Sequence, residues 1–427
     1  VNVGVAAVDI TPELDRNTIW HRAGTPVPDS VTVLDRLYAR ATAFRNADEL
    51  AIWVSLDVCV MSGLLRQRIL EAFGRSGIRA TQIALSSTHT HSAPTGHDFH
   101  GVVPMAPRYV DVLVARTAEA MVAAARSTRP AELSFGEATV DLSVNRRQIG
   151  RMAAVNDIDA PTGDVDSEVG VIRIGFEDGG TGLLVNYAAH PLTMTRMKDV
   201  ISADFPGRAM SQLRQEGNAI HAQFLQGCAG DVNVKISGEG AADRAGRILA
   251  RAVLDASESA RPSDSRELRT AEETVRLPWG RVPTVAEARE TLREARAARE
   301  SGKDGTHWRE PWAEKLVSVL EAGDVPEGAD VLIQAIRVGD AVFVALPGEV
   351  FSRIGLEIKR RAGLRHVFVV AYANNGEIGY VPTAAAFPEG GMEVDVSPYY
   401  YGLFQLAPDC ERIMVAAALD LISRVCA

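Results

Sequence analysis

Cysteine is scarce in this sequence. Four occur in 427 residues, Cys59, Cys228, Cys410 and Cys426, and no two form a C-x-x-C pair. That excludes a disulfide-stapled scaffold and a cysteine-based zinc finger, and makes a reducing cytoplasm the expected compartment. The opening residues, "VNVGVAAVDITP", lack the basic start and long apolar run of a secretion signal. The chain begins with Val1 rather than Met, so export after removal of a leader is the alternative. No apolar run is long enough to span a bilayer and no amphipathic anchor stands out, so no stable membrane insertion is expected. Positive charge is also short: 45 Lys and Arg face 55 Asp and Glu, a net charge of -10. With no basic stripe and no aromatics at groove spacing, a nucleic-acid partner is not expected.

What remains is the make-up of an ordinary globular enzyme, 46% hydrophobic and 23% charged. Strand-like and helix-like segments alternate without an internal repeat. Strands are expected over Leu37–Phe44, Leu50–Asp57 and Gln82–Ser87. Helices are expected over Gly63–Arg75, from about Pro107 to Ser127, and over Phe205–Glu216, Ala241–Ser257, Val350–Ala362 and Asp409–Arg424. Two hairpins are expected, around Gly179-Gly180 and Gly339-Asp340. The expected fold class is α/β: mixed β-sheets flanked by helices, a single catalytic domain over 1–427 with a helical insertion over 281–323. The insertion carries a thin apolar stripe, Val285, Ala288, Leu292 and Ala295. Pairing of Glu290 with Arg293 and of Arg296 with Glu300 would support the helix. It reads as a solvated surface helix or as an arm over a pocket or partner, with Trp308 and Trp312 as its anchors or as an entrance wall.

The chain has nine histidines, and two stand together in "LSSTHTHSAPTG". A buried strand breaks there into small polar residues, Pro94 and Gly96. In an extended segment His89 and His91 would face one side. Such a pair can hold a metal and work beside it, or can be hydrogen-bonded structural histidines. His97 and His100 raise the local density. His190 in "LLVNYAAHP" ends another buried strand, where α/β sheets keep their ligands, or is a capped core histidine. Glu349 in "VFVALPGEV" follows a third strand, as a ligand or as a helix N-terminal acid. Tyr380 closes the turn in "VAYANNGEIGYVPT". All four lie where an apolar run gives way to Gly, Pro or Asn. Two His and one Glu with an open position make up a hydrolytic zinc site. Asp204 and Asp231 could orient its histidines, or act as cap or turn residues. Asp57 is a weaker candidate of that kind, and a second metal near Asp57 or Asp231 stays open. Cys228 reads as a packed residue.

The motifs "DITP", "STHTHSAP", "NYAAHP", "GCAGDVN", "LPGE" and "NGEIGYVPT", in that order from Val5 to about Tyr400, resemble the neutral, non-lysosomal ceramidases and their shorter bacterial relatives. The resemblance implies Zn2+ held by His89, His190, Glu349 and Tyr380. It implies that His91 faces the substrate and that Arg146, in "VNRRQIG", contacts it. Ceramidases carry a serine where this chain has Asn233 in "GDVNVK". A serine nucleophile is excluded there, attack by metal-bound water survives, and Asn233 can donate to an oxyanion. The family continues into a β-sandwich domain, whereas this chain ends after the helix containing Leu419. The expected activity is hydrolysis of an amide bond in a small acyl-amide. An esterase or lactonase using the same zinc, or a non-catalytic metal-binding protein, are the alternatives. Homo-oligomerisation stays open.

Overall fold

The computed structural model describes residues 1–13, 31–99, 107–147, 163–194, 197, 199–302 and 308–427. His100 and residues 303–307 of the expected insertion lie outside the described residues. The molecule is a four-layer sandwich, helices on sheet on sheet on helices. The larger sheet runs in the order Ala219–Gln226, Thr181–Tyr187, Glu168–Phe176, Arg129–Thr139, Asn2–Asp9, Tyr38–Asn46, Glu49–Leu56 and Gln82–Ser87. The smaller sheet runs Leu268–Pro278, Gly328–Val338, Ala341–Ala345 and His366–Val370. Both mix parallel and antiparallel pairs. The α/β class with mixed sheets flanked by helices is what the sequence led one to expect.

Strand Glu49–Leu56 shows why these residues form these layers. Its side chains alternate across the sheet. Ile52, Val54 and Leu56 pack with Leu65, Ile69, Leu113 and Met121 of the helices Gly63–Gly74 and Pro107–Arg126. Ala51 and Trp53 point the other way, into the seam between the sheets. The Trp53 ring meets Phe343 of the smaller sheet at 5.4 Å. With both faces covered, the strand reads as a nearly continuous apolar run from Leu50 to Leu56, broken only by Ser55. The helices Asp204–Gln215 and Ala241–Glu258 cover the other half of the larger sheet. Ser352–Ala362 and Cys410–Cys426 cover the outer face of the smaller one. All four cysteines are free. Among the described residues no helix is long and apolar enough to cross a membrane.

The insertion is an excursion from a β-hairpin. Leu268–Pro278 and Gly328–Val338 pair antiparallel from Leu268↔Val338 to Pro278↔Gly328, and the intervening chain leaves at that end. It forms the helices Val285–Glu300 and Arg309–Ala322, the first opened by a capping box between Thr284 and Glu287. Ala288 and Leu292 of the apolar stripe pack with Ala313 and Leu316, and Ala295 is buried as well. Glu290 pairs with Arg293 as expected. Arg296 does not pair with Glu300; it crosses to Glu310 and Glu314 of the second helix, because the two helices lie side by side. Trp312 anchors the arm, donating from Nε1 to the Leu403 carbonyl at 3.1 Å.

The layers predict unequal sensitivities. Trp53→Ala opens a cavity between the sheets and should cost about 3–5 kcal/mol of unfolding free energy. Arg296→Ala removes only exposed ion pairs and should cost less than about 1 kcal/mol. Chemical denaturation of both variants checks this; equal losses would contradict the layering.

Candidate metal centre

Strand ends deliver the centre. His89 follows Gln82–Ser87, His190 follows Thr181–Tyr187, Glu349 follows Ala341–Ala345 and Tyr380 follows His366–Val370. The two sheets are stitched together here: Ser86 bridges to Ala373, and Asn186 Nδ2 donates to the carbonyls of Leu225 and Val369. The chain is not extended at His89, as the two-apart spacing suggested. Its φ is 65°, in the left-handed region that an L side chain enters at a cost of about 1–3 kcal/mol. Backbone hydrogen bonds from Thr88 to Leu56, from His89 to Val58 and from His91 to Pro191 hold that turn. It brings His89 and His91 together edge to face, with ring centroids 4.7 Å apart.

His89 and His190 each have one ring nitrogen fixed by backbone. His89 Nδ1 lies 2.7 Å from the Cys59 carbonyl, and His190 Nδ1 lies 2.5 Å from the Ala229 carbonyl. A carbonyl only accepts, so both Nδ1 atoms carry hydrogen and both Nε2 atoms present lone pairs. Those Nε2 atoms face each other at 3.1 Å. Glu349 Oε2 lies 3.0 Å from His190 Nε2 and 3.3 Å from His89 Nε2. His91 Nε2 is 3.1 Å from His89 Nε2. Facing lone pairs and a carboxylate repel unless positive charge sits among them. The ligand atoms of His89, His190 and Glu349 all fall within 4.8 Å of one another. Two neutral imidazoles, one carboxylate and a neighbouring phenol are a donor set that fits zinc. Cys59, His89 and His91 form a second such trio around the same His89. Among the described residues neither Asp57 nor Asp231 joins one.

The protonation states express the same demand for a cation. Burial opposes charge on His89, but Glu349 and Cys59 together outweigh it and lift the imidazole to about 10. Burial, then the charge of Arg146, drives His190 down to about 3. Burial and the two neighbouring histidines hold His91 well below the usual histidine range. Burial raises Glu349, and the positive charge on His89 beside it more than reverses that, holding the carboxyl well below its usual range. One proton on His89 therefore stands in for a bound cation.

The loop after strand Ala219–Gln226, "GCAGDVN", organises the rest. The Ala229 carbonyl holds His190. Gly230 packs so tightly on Glu349 that a Cβ there would lie 2.3 Å from the Glu349 carbonyl oxygen. Asp231 accepts from Ser352 N at 2.7 Å, at the start of helix Ser352–Ala362. Asn233 forms a bridge with His190. Arg146, buried, spans all of this. Its Nη2 donates to the Gly230 carbonyl at 2.8 Å and the Tyr380 hydroxyl at 2.9 Å, its Nη1 to Asn233 Oδ1 at 3.2 Å, and its Nε to Glu393 at 3.2 Å. Tyr380 is in register beside Glu349 in the short pair of Glu349–Val350 with Tyr380–Val381.

Every expected site residue thus lies in one connected cluster, but some neighbours differ from expectation. Glu349 is not a helix N-terminal acid, because the helix starts at Ser352 and Glu349 pairs as a strand. Asp231 caps that helix, and Asp204 accepts from Thr193 and Met194; backbone carbonyls, not these acids, orient the histidines. Asp57 is ion-paired with Arg40 at 2.6 Å. Cys228 is packed against Gly355, and burial pushes its thiol up. Sequence reasoning missed Glu393, Tyr372, whose ring lies 4.3 Å from His89, and Tyr401, which donates to Glu349 Oε1 at 2.6 Å. The only signal for Tyr401 was the tyrosine run in "SPYYYG".

Residues 1–251 match the sequence model of the neutral/alkaline non-lysosomal ceramidase N-terminal region. The chain is 27% identical over 223 residues to neutral ceramidase 2 of Arabidopsis thaliana, covering 48% of this chain and 29% of that protein. It is 24% identical over 261 residues to neutral ceramidase A of Dictyostelium discoideum, covering 55% of this chain and 36% of that one. The matched stretches therefore span well under half the length of these relatives. Among solved structures, the neutral ceramidase of Pseudomonas aeruginosa superposes with a TM-score of 0.74 at 18% identity, over 99% of this chain and 75% of that one. The likeness shows a shared fold.

A metal ion held at His89 would compete with its proton, so zinc affinity there should depend on pH. The folded-state pKa is raised, so below about 10 each bound ion displaces one proton. Apparent affinity should rise about tenfold per unit between about pH 7 and 9, measured by chelator competition. A flat profile would contradict this. His89→Ala and His190→Ala should each lose stoichiometric zinc and keep the far-ultraviolet circular dichroism of the parent.

Proposed function

Because the chain belongs to the neutral/alkaline non-lysosomal ceramidase family, we propose that it is a zinc-dependent hydrolase of the amide bond in N-acyl amides. The observation that carries the reading is the convergence of the His89 and His190 Nε2 lone pairs with Glu349 Oε2. His89, His190, Glu349 and Tyr380 would hold the ion. When bound, zinc supplies a Lewis acid for the carbonyl oxygen and brings water to a pKa near 7.

The chain's own groups do the rest. His91 is neutral at rest, beside the ligands, and takes up a proton at Nε2 and returns it to the leaving nitrogen. Asn233 gives its oxygen to Arg146, so its Nδ2 is the donor end, suited to a developing oxyanion. Arg146 acts on Tyr380 and Asn233 rather than by gripping the substrate, because its guanidinium is buried and engaged by Gly230, Tyr380, Asn233 and Glu393. The whole chain works as one catalytic unit, with the arm over 281–323 as a wall beside the site. Trp308 and Phe99, with ring centroids 6.0 Å apart, give that side an aromatic character suited to an acyl chain. The relatives are named ceramidases, which moves the substrate from a small soluble amide toward an N-acylated lipid.

The test is hydrolysis of an acyl-amide panel, from short soluble amides to ceramide, with matched esters, with and without chelator. Amide cleavage lost on chelation and restored by zinc is expected. His91→Ala should keep its zinc and lose about 10²–10⁴ in kcat. Cleavage of esters alone would move the reading to an esterase. Zinc without turnover on any member would leave a binding protein.

A further inference from the structure

Glu349 meets the centre with one oxygen only. Oε2 faces both ligand histidines, at 3.0 Å and 3.3 Å. Oε1 accepts the Tyr401 hydroxyl at 2.6 Å. A carboxylate can give a metal one oxygen or two. A short hydrogen bond on the far oxygen occupies its lone pair, draws charge from it and fixes the rotation of the group.

Tyr401 is itself held on every side. Its backbone N–H donates to the Ser397 carbonyl at 3.0 Å. Its ring lies 5.3 Å from Phe99, 5.1 Å from Tyr400 and 6.1 Å from Tyr380, centroid to centroid. Gly379 makes the approach possible. A Cβ at that position would lie 2.8 Å from the Tyr401 Cβ and 3.0 Å from its ring, and the φ of 73° already excludes most side chains. The glycine of "EIGY" thus serves a residue 22 positions further on. The ring also reaches the arm: Phe99 and Tyr400 both meet Trp308, at 6.0 Å and 5.8 Å.

We propose that Tyr401 is a positioning residue for the metal centre, presenting Glu349 through Oε2 alone and so keeping one coordination position for the reacting groups. The inference rests on the zinc reading above. Removing the hydroxyl frees Oε1 to turn inward, which closes that position and weakens the preformed geometry. The aromatic packing of Tyr401 makes it the joint through which the arm fixes the ligand carboxylate.

The experiment uses the full chain and its Tyr401→Phe variant, which keeps the ring and removes one oxygen. Zinc affinity is measured by chelator competition, and the cobalt(II)-loaded protein is examined by visible absorption, which weakens as coordination number rises. Tyr401→Phe should bind zinc about 10–100-fold less tightly and show weaker cobalt bands. Tyr400→Phe removes a neighbouring hydroxyl that sits on the Met392 sulfur at 2.9 Å, and should match the parent in both. Affinity within twofold of the parent in Tyr401→Phe, or an equal loss in Tyr400→Phe, overturns the assignment. Absence of zinc binding in the unaltered chain overturns the zinc reading as well, so the two failures are distinguishable.

Discussion

Two backbone carbonyls decide what the centre can do. Cys59 and Ala229 each accept from the Nδ1 of a buried histidine, and in doing so turn both Nε2 lone pairs inward. Without that lock the imidazoles could rotate or exchange tautomers and relieve their mutual repulsion. With it, the only relief is positive charge: a proton on His89 or a metal ion. The cost of the left-handed turn at His89 is carried by the strands around it, whose hydrogen bonds leave the chain no other course.

The loop from Gly227 to Asn233 translates this lock into a wider site. Consecutive residues fix His190, press against Glu349, hold Arg146 and cap the helix that follows Glu349. Arg146 then reaches Tyr380, Asn233 and Glu393, joining the short strands Tyr380–Val381 and Val232–Val234 to the helical turn Met392–Val396. Burial of a guanidinium is tolerable only with such a full set of acceptors. The same full set makes it a strut for its neighbours.

Much of this was legible in sequence because the carriers of the chemistry sit where patterns change. His89, His190 and Glu349 each follow a buried apolar run, and strand ends are where this architecture concentrates ligands. The layers were legible too, since a strand covered on both faces reads as a nearly continuous apolar run. Three things were not. The left-handed turn at His89 is a tertiary outcome, set by the carbonyls of Leu56, at the end of the neighbouring strand, and of Val58, just beyond it. The partner of Arg296 is on a second helix, so spacing along one helix points to the wrong glutamate. Tyr401 and Glu393 lie 52 and 247 residues from the groups they hold, in stretches with no periodic signal.

On the proposed reading, a single zinc ion would sit between His89, His190 and Glu349. Anomalous diffraction collected on either side of the zinc absorption edge, from crystals of the zinc-loaded full chain, tests it most directly. One strong peak is expected within about 2.0–2.2 Å of both Nε2 atoms and of Glu349 Oε2. A zinc-dependent peak elsewhere, or none at this position with the histidines unmoved, would contradict it.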